Sequence, residues 1–417
     1  MKLLISDVFW EQLYFPDTAK IYCIDVNDNG DIFVGSGGTN EIGGVYRSTD
    51  NAESWEFVNN IGNASVLSID ISPQGDVFAG SNNGWEDHLL RSSDNGDSWQ
   101  EITLPDYSVA ENVIKILAVS TDTIYVSTVN NNALLLRTYD GGQTWDSLVG
   151  GNSHPGEYIS DILIDDDGTI FLSYQGFYQD QGGVYYSEDD GANWQFSGLL
   201  NYMITSLARN SSNDIFAGCW GGVSWDEWPG LYVLRNGEAQ WDTLIAGPQI
   251  GDIEINSDNY IFFTSQWPLG ISRSIDNGES FELVNEGLPP GYHNNITLDN
   301  NDYLYATSGD NLSKTINTTV DIPEYIFNGK IDIVSIFPNP ASTSLTITID
   351  NQYFTNNTVV SLSSIIGKTA YKKTLNNSDL ENGSISIDVS GFKKGTYIAS
   401  LNNNGKTISS TKMIITN

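Results

Sequence analysis

The sequence Ser48-Thr-Asp50-Asn-Ala52-Glu-Ser-Trp55 returns five times further along the chain. The good copies end at Trp99, Trp145, Trp194 and Phe281, and a degraded copy keeps only Gly237 and Trp241. Successive aromatic ends lie 40 to 49 residues apart. A repeat of this period indicates that one supersecondary unit is used several times around a solenoid or a β-propeller.

Between these copies lies a second recurrent pattern, a short apolar strand, an Asp/Asn/Gly turn and another strand, as from Ile24 to Phe33 and from Ile69 to Phe78. Short runs rich in Val, Ile, Phe and Tyr are typical of strands, and no window shows sustained helical periodicity. Four strands per period predict a β-propeller, and the number of innermost strands predicts seven blades, with six or eight as alternatives.

The seventh blade has no copy of the repeated phrase and no closing tryptophan of its own. Near the start of the chain, however, Trp10-Glu-Gln-Leu13 resembles the outer strand that begins Trp55-Glu-Phe-Val58. A ring closed by the N-terminal strand has two fewer exposed sheet edges. We therefore predict an all-β protein, a seven-bladed β-propeller closed by the N-terminal strand and followed by a small antiparallel β-sandwich.

The charge of the chain divides it into two parts. The 417 residues include 53 acids and 18 Lys or Arg, a net charge of -35. Residues 1–320 hold 46 of the acids and 10 of the bases, whereas residues 321–417 hold seven acids and eight lysines. We predict a propeller over 1–320, a linker over 321–332 and a second domain over 333–417. So acidic a surface excludes a nucleic-acid binder, and an aromatic content of 12% excludes a disordered acidic chain.

The repeated phrase resembles the Asp-box, or BNR repeat, of sialidases, sortilin-type receptors, xyloglucan-cleaving hydrolases and photosystem assembly factors. The resemblance implies a hairpin turn between the third and fourth strands of a blade. In such a turn the Asp accepts backbone N–H bonds, Gly supplies a positive φ and the aromatic residue packs between blades. We therefore predict a structural role for the box carboxylates, which are Asp50, Asp94, Asp140, Asp189 and Asp276.

The C-terminal region carries Pro338-Asn339-Pro340, Gly395-Thr-Tyr397 and a terminal Lys412-Met-Ile-Ile415. Its alternating strands and turns predict a small sandwich. These motifs closely resemble the type A C-terminal sorting domain of the type IX, or Por, secretion system of Bacteroidetes; a carbohydrate-binding sandwich is the alternative. The resemblance implies that the type IX machinery is a partner and that the protein is secreted or attached to the outer-membrane surface. It also implies a cleaved signal peptide, for which Met1–Ser6 holds too short an apolar run.

Aromatic residues in the loops are the candidates for ligand binding. In a propeller the second-to-third strand loops and the blade-to-blade connections share one face. Side chains of this kind stack on sugar rings or bind a protein, although they also serve to cover blade tops. The main hypothesis is a glycan- or protein-binding module, and its candidate residues are Trp85, Trp220, Trp225, Trp228 and Trp267.

The alternative hypothesis is a glycoside hydrolase. Asp161 and Asp252 begin the inner strands of two blades near the channel mouth, where two carboxylates can act as acid and base. Xyloglucan-cleaving Asp-box enzymes use two aspartates, but no local motif shows which residues of this sequence correspond to them. Structural carboxylates that line the channel are the simpler interpretation. A sialidase is disfavoured because it needs three arginines, and only Arg209 lies outside the repeat.

No cofactor is predicted, with calcium as the alternative. Asp25-Val-Asn27-Asp-Asn29-Gly30 matches the first half of an EF-hand loop, but Ser36 stands where calcium binding requires Glu, which favours a hairpin turn. His88, His154 and His293 are expected in separate blades, without zinc-ligand spacing. Cys23 and Cys219 are expected to be buried thiols too distant to bridge. The sequence predicts no transmembrane segment.

Overall fold

The computed structural model describes residues 9–16, 19–37, 43–60, 64–82, 89–105, 112–129, 133–149, 158–176, 178, 180–222, 228–266, 269–319, 334–337, 341–349, 358–364, 369–375, 384–403 and 406–416. The chain divides into two compact units, Met1–Asp321 and Ile322–Asn417.

The first unit consists of short antiparallel strands. They are β1 (Trp10–Leu13), β2 (Lys20–Val26), β3 (Ile32–Gly37), β4 (Gly44–Ser48), β5 (Glu56–Asn60), β6 (Ser65–Ile71), β7 (Val77–Asn82), β8 (Leu89–Ser92), β9 (Gln100–Ile102), β10 (Asn112–Ala118), β11 (Ile124–Val129), β12 (Ala133–Thr138), β13 (Asp146–Val149), β14 (Tyr158–Ile164), β15 (Ile170–Gln175), β16 (Gly183–Ser187), β17 (Gln195–Gly198), β18 (Tyr202–Arg209), β19 (Ile215–Gly222), β20 (Gly230–Leu234), β21 (Trp241–Ala246), β22 (Ile250–Ile255), β23 (Ile261–Gln266), β24 (Leu269–Ser274), β25 (Glu282–Leu283), β26 (Asn295–Leu298), β27 (Leu304–Ser308) and β28 (Asn311–Thr315).

These strands form seven four-stranded sheets in the described part of the first unit, which confirms the predicted seven-bladed propeller. Blades 1 to 6 each use four consecutive strands, from β2–β5 to β22–β25. Blade 7 has the order β26-β27-β28-β1, so the strand nearest the N-terminus is its outer edge.

The apolar core lies between the blades rather than within them. One cluster joins Cys23, Phe33 and Val45 of blade 1 to Val66 and Ile69 of blade 2. The same kind of cluster recurs at the next interfaces around the ring. Each sheet is therefore covered on both faces by its neighbours, which is why the second strand of a blade is almost entirely buried and apolar.

Ring closure depends on β1, which pairs antiparallel with β28 from Trp10 opposite Thr315 to Leu13 opposite Leu312. The Trp10 side chain is only 1% exposed. Its Nε1 donates a hydrogen bond to the carbonyl oxygen of Val284 in blade 6, at 2.6 Å. The predicted closure is confirmed, and Trp10 is buried more deeply than its half-buried counterparts Trp55 and Trp99.

In the described part of the second unit the strands form two antiparallel sheets, β29-β30-β33 and β32-β31-β34-β35. Leu345 and Ile347 of the first sheet share one apolar core with Val360, Leu362 and Ile415 of the second, which makes a small sandwich. Its strands are β29 (Val334–Phe337), β30 (Ser344–Ile349), β31 (Thr358–Ser364), β32 (Thr369–Thr374), β33 (Ser384–Asp388), β34 (Gly395–Asn403) and β35 (Lys406–Ile415).

Candidate functional site

The Asp-box turns are held by local hydrogen bonds. The Ser48 hydroxyl donates to Asp50 Oδ1 at 2.9 Å and accepts from the Ala52 N–H at 2.9 Å, while Asp50 Oδ1 accepts from the Ser54 N–H at 2.8 Å. The other four good copies repeat these contacts. Ala52 has a φ of 66° where those copies have Gly. Because the carboxylate bonds lie inside the turn, the geometry fits a structural role.

The same hydrogen bonds set the charge of the box carboxylates. Bonds from the Ser98 and Thr144 hydroxyls and N–H groups lower the pKa of Asp94 and Asp140 to about 2. The boxes therefore stay anionic at any physiological pH.

All six arginines of the chain form ion pairs with propeller carboxylates. Arg209, which the sequence leaves outside the repeat, pairs with Asp166 at 2.8 Å. Binding a substrate carboxylate through three arginines would require breaking three such pairs, which agrees with the sequence-based argument against a sialidase.

The innermost strands line a central cavity of about 510 Å³. Lys115, Asp161 and Asp252 occupy one position on the inner strands of blades 3, 4 and 6. Asp25 and Asp70 lie two residues further along β2 and β6, at the position Glu254 has on β22. In the described lining of the channel, Lys115 thus lies among several acidic groups.

Asp161 connects three blades. Its Oδ1 lies 2.8 Å from Lys115 Nζ of blade 3, and its Oδ2 accepts the N–H of Leu207 of blade 5 at 2.8 Å. Only 5% of Asp161 is exposed, whereas the Lys115 side chain is 39% exposed, towards the channel.

Asp252 bridges blades in the same way. Its Oδ1 accepts from the Ser206 hydroxyl of blade 5, and its Oδ2 accepts from the Ile296 N–H of blade 7, both at 3.0 Å. Ser68 and Asp70 of blade 2 likewise accept N–H groups of blade 3. The sequence placed Asp161 and Asp252 at the channel, but it missed that this strand position joins each blade to the next.

Burial and neighbouring charges raise the pKa of four carboxyl groups in the channel. Burial, with the nearby Asp70 carboxyl, raises the pKa of Asp25 to about 8, and burial raises that of Asp70 to about 6. Burial also raises the pKa of Asp252 and, well above its usual range, that of Glu254. Burial alone would lower the pKa of Lys115, but Asp161 and Asp252 outweigh it and raise the pKa.

The surroundings of Cys23 and of the EF-hand-like segment explain two further features of the sequence. Burial raises the pKa of the Cys23 thiol, so it is not a nucleophile at neutral pH. Both cysteines are buried, in different blades. In the EF-hand-like segment, Asn27 Oδ1 accepts the N–H groups of Asn29 and Asp31, which closes a hairpin turn. Within the described ranges, no cluster of three His, Cys, Asp or Glu side chains is arranged to hold a metal ion.

The opposite end of the ring from the Asp-boxes presents the aromatic loop face, made by the second-to-third strand loops and the blade-to-blade connections. Trp220 is 38% exposed and Trp228 is 64% exposed, both beside the same loop of blade 5. The Tyr232 hydroxyl donates to the Trp228 carbonyl at 2.7 Å, and the Tyr232 ring contacts Tyr202 edge-on. Other exposed apolar side chains on this face are Tyr14, Tyr178, Leu200 and Tyr292.

Several candidates lie outside the described residues, namely Trp85, Trp225, Trp267, His88, His154, Pro338, Asn339 and Pro340. Of the remaining sorting-motif residues, Gly395 and Tyr397 lie in β34 and Lys412 lies in β35. The Tyr397 hydroxyl donates to the Lys393 carbonyl at 2.8 Å, which ties the strand to the preceding turn.

Comparison with known proteins gives separate matches in the two units of the chain. Residues 335–416 match the secretion system C-terminal sorting domain, and residues 48–213 match the photosynthesis system II assembly factor YCF48. The xyloglucanase Xgh74A of Acetivibrio thermocellus is 24% identical over 254 residues, which cover 49% of this chain and 29% of that protein. The chain therefore spans less than a third of the length of the curated relatives it matches.

Solved structures show the same fold at low identity. YCF48 bound to a D1 peptide has a TM-score of 0.57 and 16% identity, covering 74% of this chain and 97% of that one. PorZ, a surface component of the type IX secretion system of Porphyromonas gingivalis, has a TM-score of 0.56 and 13% identity, covering 96% and 60%. The GH74 xyloglucanase of Xanthomonas campestris has a TM-score of 0.57 and 12% identity, covering 82% and 60%.

The chain is thus a propeller protein carrying a secretion signal at its C-terminus. More specifically, it is a BNR/YCF48-type β-propeller followed by a Por, or type IX, secretion system sorting domain. The sorting domain implies that the protein is secreted or attached to the outer-membrane surface. Among the described residues, no helix has the length and apolar character needed to cross a membrane.

Proposed function

We propose that this type IX-secreted protein is a binding protein whose propeller recognises a glycan or a protein through the aromatic loop face. The observation that carries the proposal is the exposure of Trp228 and Trp220 on the loop of blade 5, with Tyr178 and Tyr292 on the same face. Trp and Tyr are enriched at interfaces, because each combines a large apolar ring with a polar group that can remain hydrated. The likeness to GH74 xyloglucanases supports a glycan, and the YCF48–peptide complex supports a peptide.

The test is a binding screen of the intact protein on plant and mucosal glycans and on peptide arrays. Trp228→Ala is expected to weaken binding of any hit by about tenfold or more, because stacking on an aromatic ring is lost. Phe57→Ala is the matched control, since Phe57 is an exposed ring on the outer strand of blade 1. Equal affinities for the two variants would contradict the proposal.

The second candidate is glycoside hydrolysis by Asp161 and Asp252. The relationship to a xyloglucanase and the raised pKa of Asp252, as required of a general acid, favour it. The contacts of both carboxylates with the next blade favour a structural role instead. Product formation from xyloglucan that is abolished by Asp252→Asn in a folded variant would support hydrolysis, and binding without turnover would support the binding protein.

A further inference from the structure

A cavity of about 430 Å³ lies between blades 4 and 5 at the Asp-box end of the propeller. The rings of Phe171 and Tyr186 and the first turn of blade 4 line one side. The degraded repeat of blade 5, from Leu234 to Ala239, lines the other. The cavity is at the opposite end of the ring from the aromatic loop face, so it is independent of the function proposed above.

The repeat shows what normally occupies this place. In five blades the third strand carries a cation directly opposite an aromatic residue of the second strand. These pairs are Arg47 with Phe33, Arg91 with Phe78, Arg137 with Tyr125, Arg273 with Phe262 and Lys314 with Tyr305. The Arg91 guanidinium lies 5.6 Å from the centre of its ring, and the Lys314 ammonium lies 4.8 Å from that of Tyr305.

The repeat cation also reaches the turn of the next blade. Arg47 Nη1 lies 2.7 Å from Asp97 Oδ1. Arg137 Nη1 donates to the Asp190 carbonyl at 2.8 Å. The Lys314 ammonium donates to Asn51 Oδ1 at 2.7 Å. At these interfaces a cation therefore fills the space between two neighbouring turns.

At the interface of blades 4 and 5, both the repeat cation of blade 4 and the box serine of blade 5 are replaced by other residues. Tyr186 takes the place of the cation opposite Phe171, and its hydroxyl donates to Gln195 of its own blade at 3.2 Å. On the other side, Leu234 stands where the box serine stands in other blades. The sequence placed Arg235 in the repeat. Strand pairing instead gives the position of the repeat arginine to Val233.

The cavity that results is aromatic and acidic. Its carboxylates are Asp165, Asp167, Glu188 and Glu238. Among the described residues that line it, the one cation is Arg235, which already pairs with Asp214 at 2.8 Å and donates to the Asn277 carbonyl of blade 6. A guanidinium is the group that both stacks on a ring and forms charge-assisted bonds with carboxylates. We propose that this cavity binds an arginine side chain of a protein partner beside the stacked rings of Phe171 and Tyr186, at the kind of blade interface where other blades hold their own cation.

The probe is N-acetyl-L-arginine amide, titrated into the full-length protein and followed by saturation-transfer NMR. Its uncharged isostere, N-acetyl-L-citrulline amide, is expected to bind about tenfold more weakly, because the cation is lost. Tyr186→Arg restores the repeat's own cation and should weaken binding of the arginine probe by about tenfold through self-occupation of the cavity.

A second pair of variants separates the cavity from the general acidity of the surface. Glu188→Gln removes a cavity carboxylate and should weaken binding of the arginine probe severalfold. Glu53→Gln makes the same charge change on the exposed box turn of blade 1 and should leave binding unchanged. If Tyr186→Arg does not fold, as judged by circular dichroism, this pair decides alone. Absence of saturable binding, equal binding of the two probes, or equal effects of Glu188→Gln and Glu53→Gln would overturn the proposal.

Discussion

The carboxyl of Asp25 makes stability depend on pH. Its pKa is raised from 3.8 to about 8, by burial and by Asp70. A carboxyl whose pKa is raised in the folded state holds its proton longer than in the unfolded chain. Its favourable contribution is therefore fully present below pH 3.8 and is lost as the pH rises towards 8. Ionisation of Asp25 in the channel therefore lowers the free energy of unfolding at alkaline pH.

Asp25→Asn should remove this cost. We expect the variant to gain about 1–3 kcal/mol of unfolding free energy over the native protein above the pKa of Asp25, and little in acid. Thermal melts across the pH range measure the difference. Asp258→Asn, which changes an exposed carboxylate of blade 6, serves as the control. Parallel stability curves for Asp25→Asn and the native protein would contradict the expectation.

The buried His293 gives the opposite dependence of stability on pH. It is 3% exposed and precedes Asn295 by two residues, as the buried Ile21 precedes Cys23 in blade 1. Burial lowers its pKa below 6.5, against a smaller opposing effect of the Gly291 carbonyl. A histidine with a lowered folded pKa contributes stability above its unfolded value of 6.5, and this is lost as the pH falls through the folded pKa.

His293→Ile places in blade 7 the residue type that other blades use at this position. The variant should lose less stability on acidification than the native protein, because no buried imidazole has to be protonated. Urea unfolding at pH 5 and pH 8 measures it. An acid-induced loss identical to that of the native protein would show that His293 does not limit stability.

Among the structural elements, β1 offers the sharpest test. Trp10→Ala should cost about 3–5 kcal/mol, since it empties a buried site and removes the hydrogen bond to Val284. Trp55→Ala, at the half-buried equivalent in blade 1, should cost less. Thermal melts of both variants give the comparison. An unchanged melting temperature for Trp10→Ala would mean that β1 is dispensable for the ring.

The blades could be predicted from sequence because each Asp-box is a local turn, whose hydrogen bonds join residues at most four apart. The closing strand was also predictable, since Trp10-Glu-Gln-Leu13 repeats the pattern of the outer strands. These features are fixed by neighbouring residues in the chain, and a repeat displays them several times.

The channel was only partly predictable. Asp161 and Asp252 were placed there from the alignment of inner strands, but Lys115 was missed, although it occupies the same strand position as Asp161. The ion pair of Lys115 and Asp161 joins residues of different blades, and the raised pKa of Asp25 depends on Asp70 of the next blade. Such effects arise only when the strands converge on one axis, so no short stretch of sequence shows them.

For the whole molecule, secretion and folding should be separable, because the two units have separate apolar cores. Deleting residues 330–417 should leave the propeller folded but hold it in the periplasm of a bacterium that uses type IX secretion. Cell fractionation and a thermal melt of the truncated protein check both halves. Truncated protein in the medium at native levels would contradict the sorting role.

The pairing of β1 with β28 also fixes when the propeller can finish folding. Trp10 and its partner Val284 are 274 residues apart, so closing the loop costs about 5 kcal/mol of chain entropy. Contacts of high sequence separation form slowly. β1 is the first of the described blade strands in the chain, yet it cannot pair until β28 is available, and until then the open ring exposes strand edges that promote aggregation. A chain that ends before β28 would therefore keep β1 unpaired and the ring open.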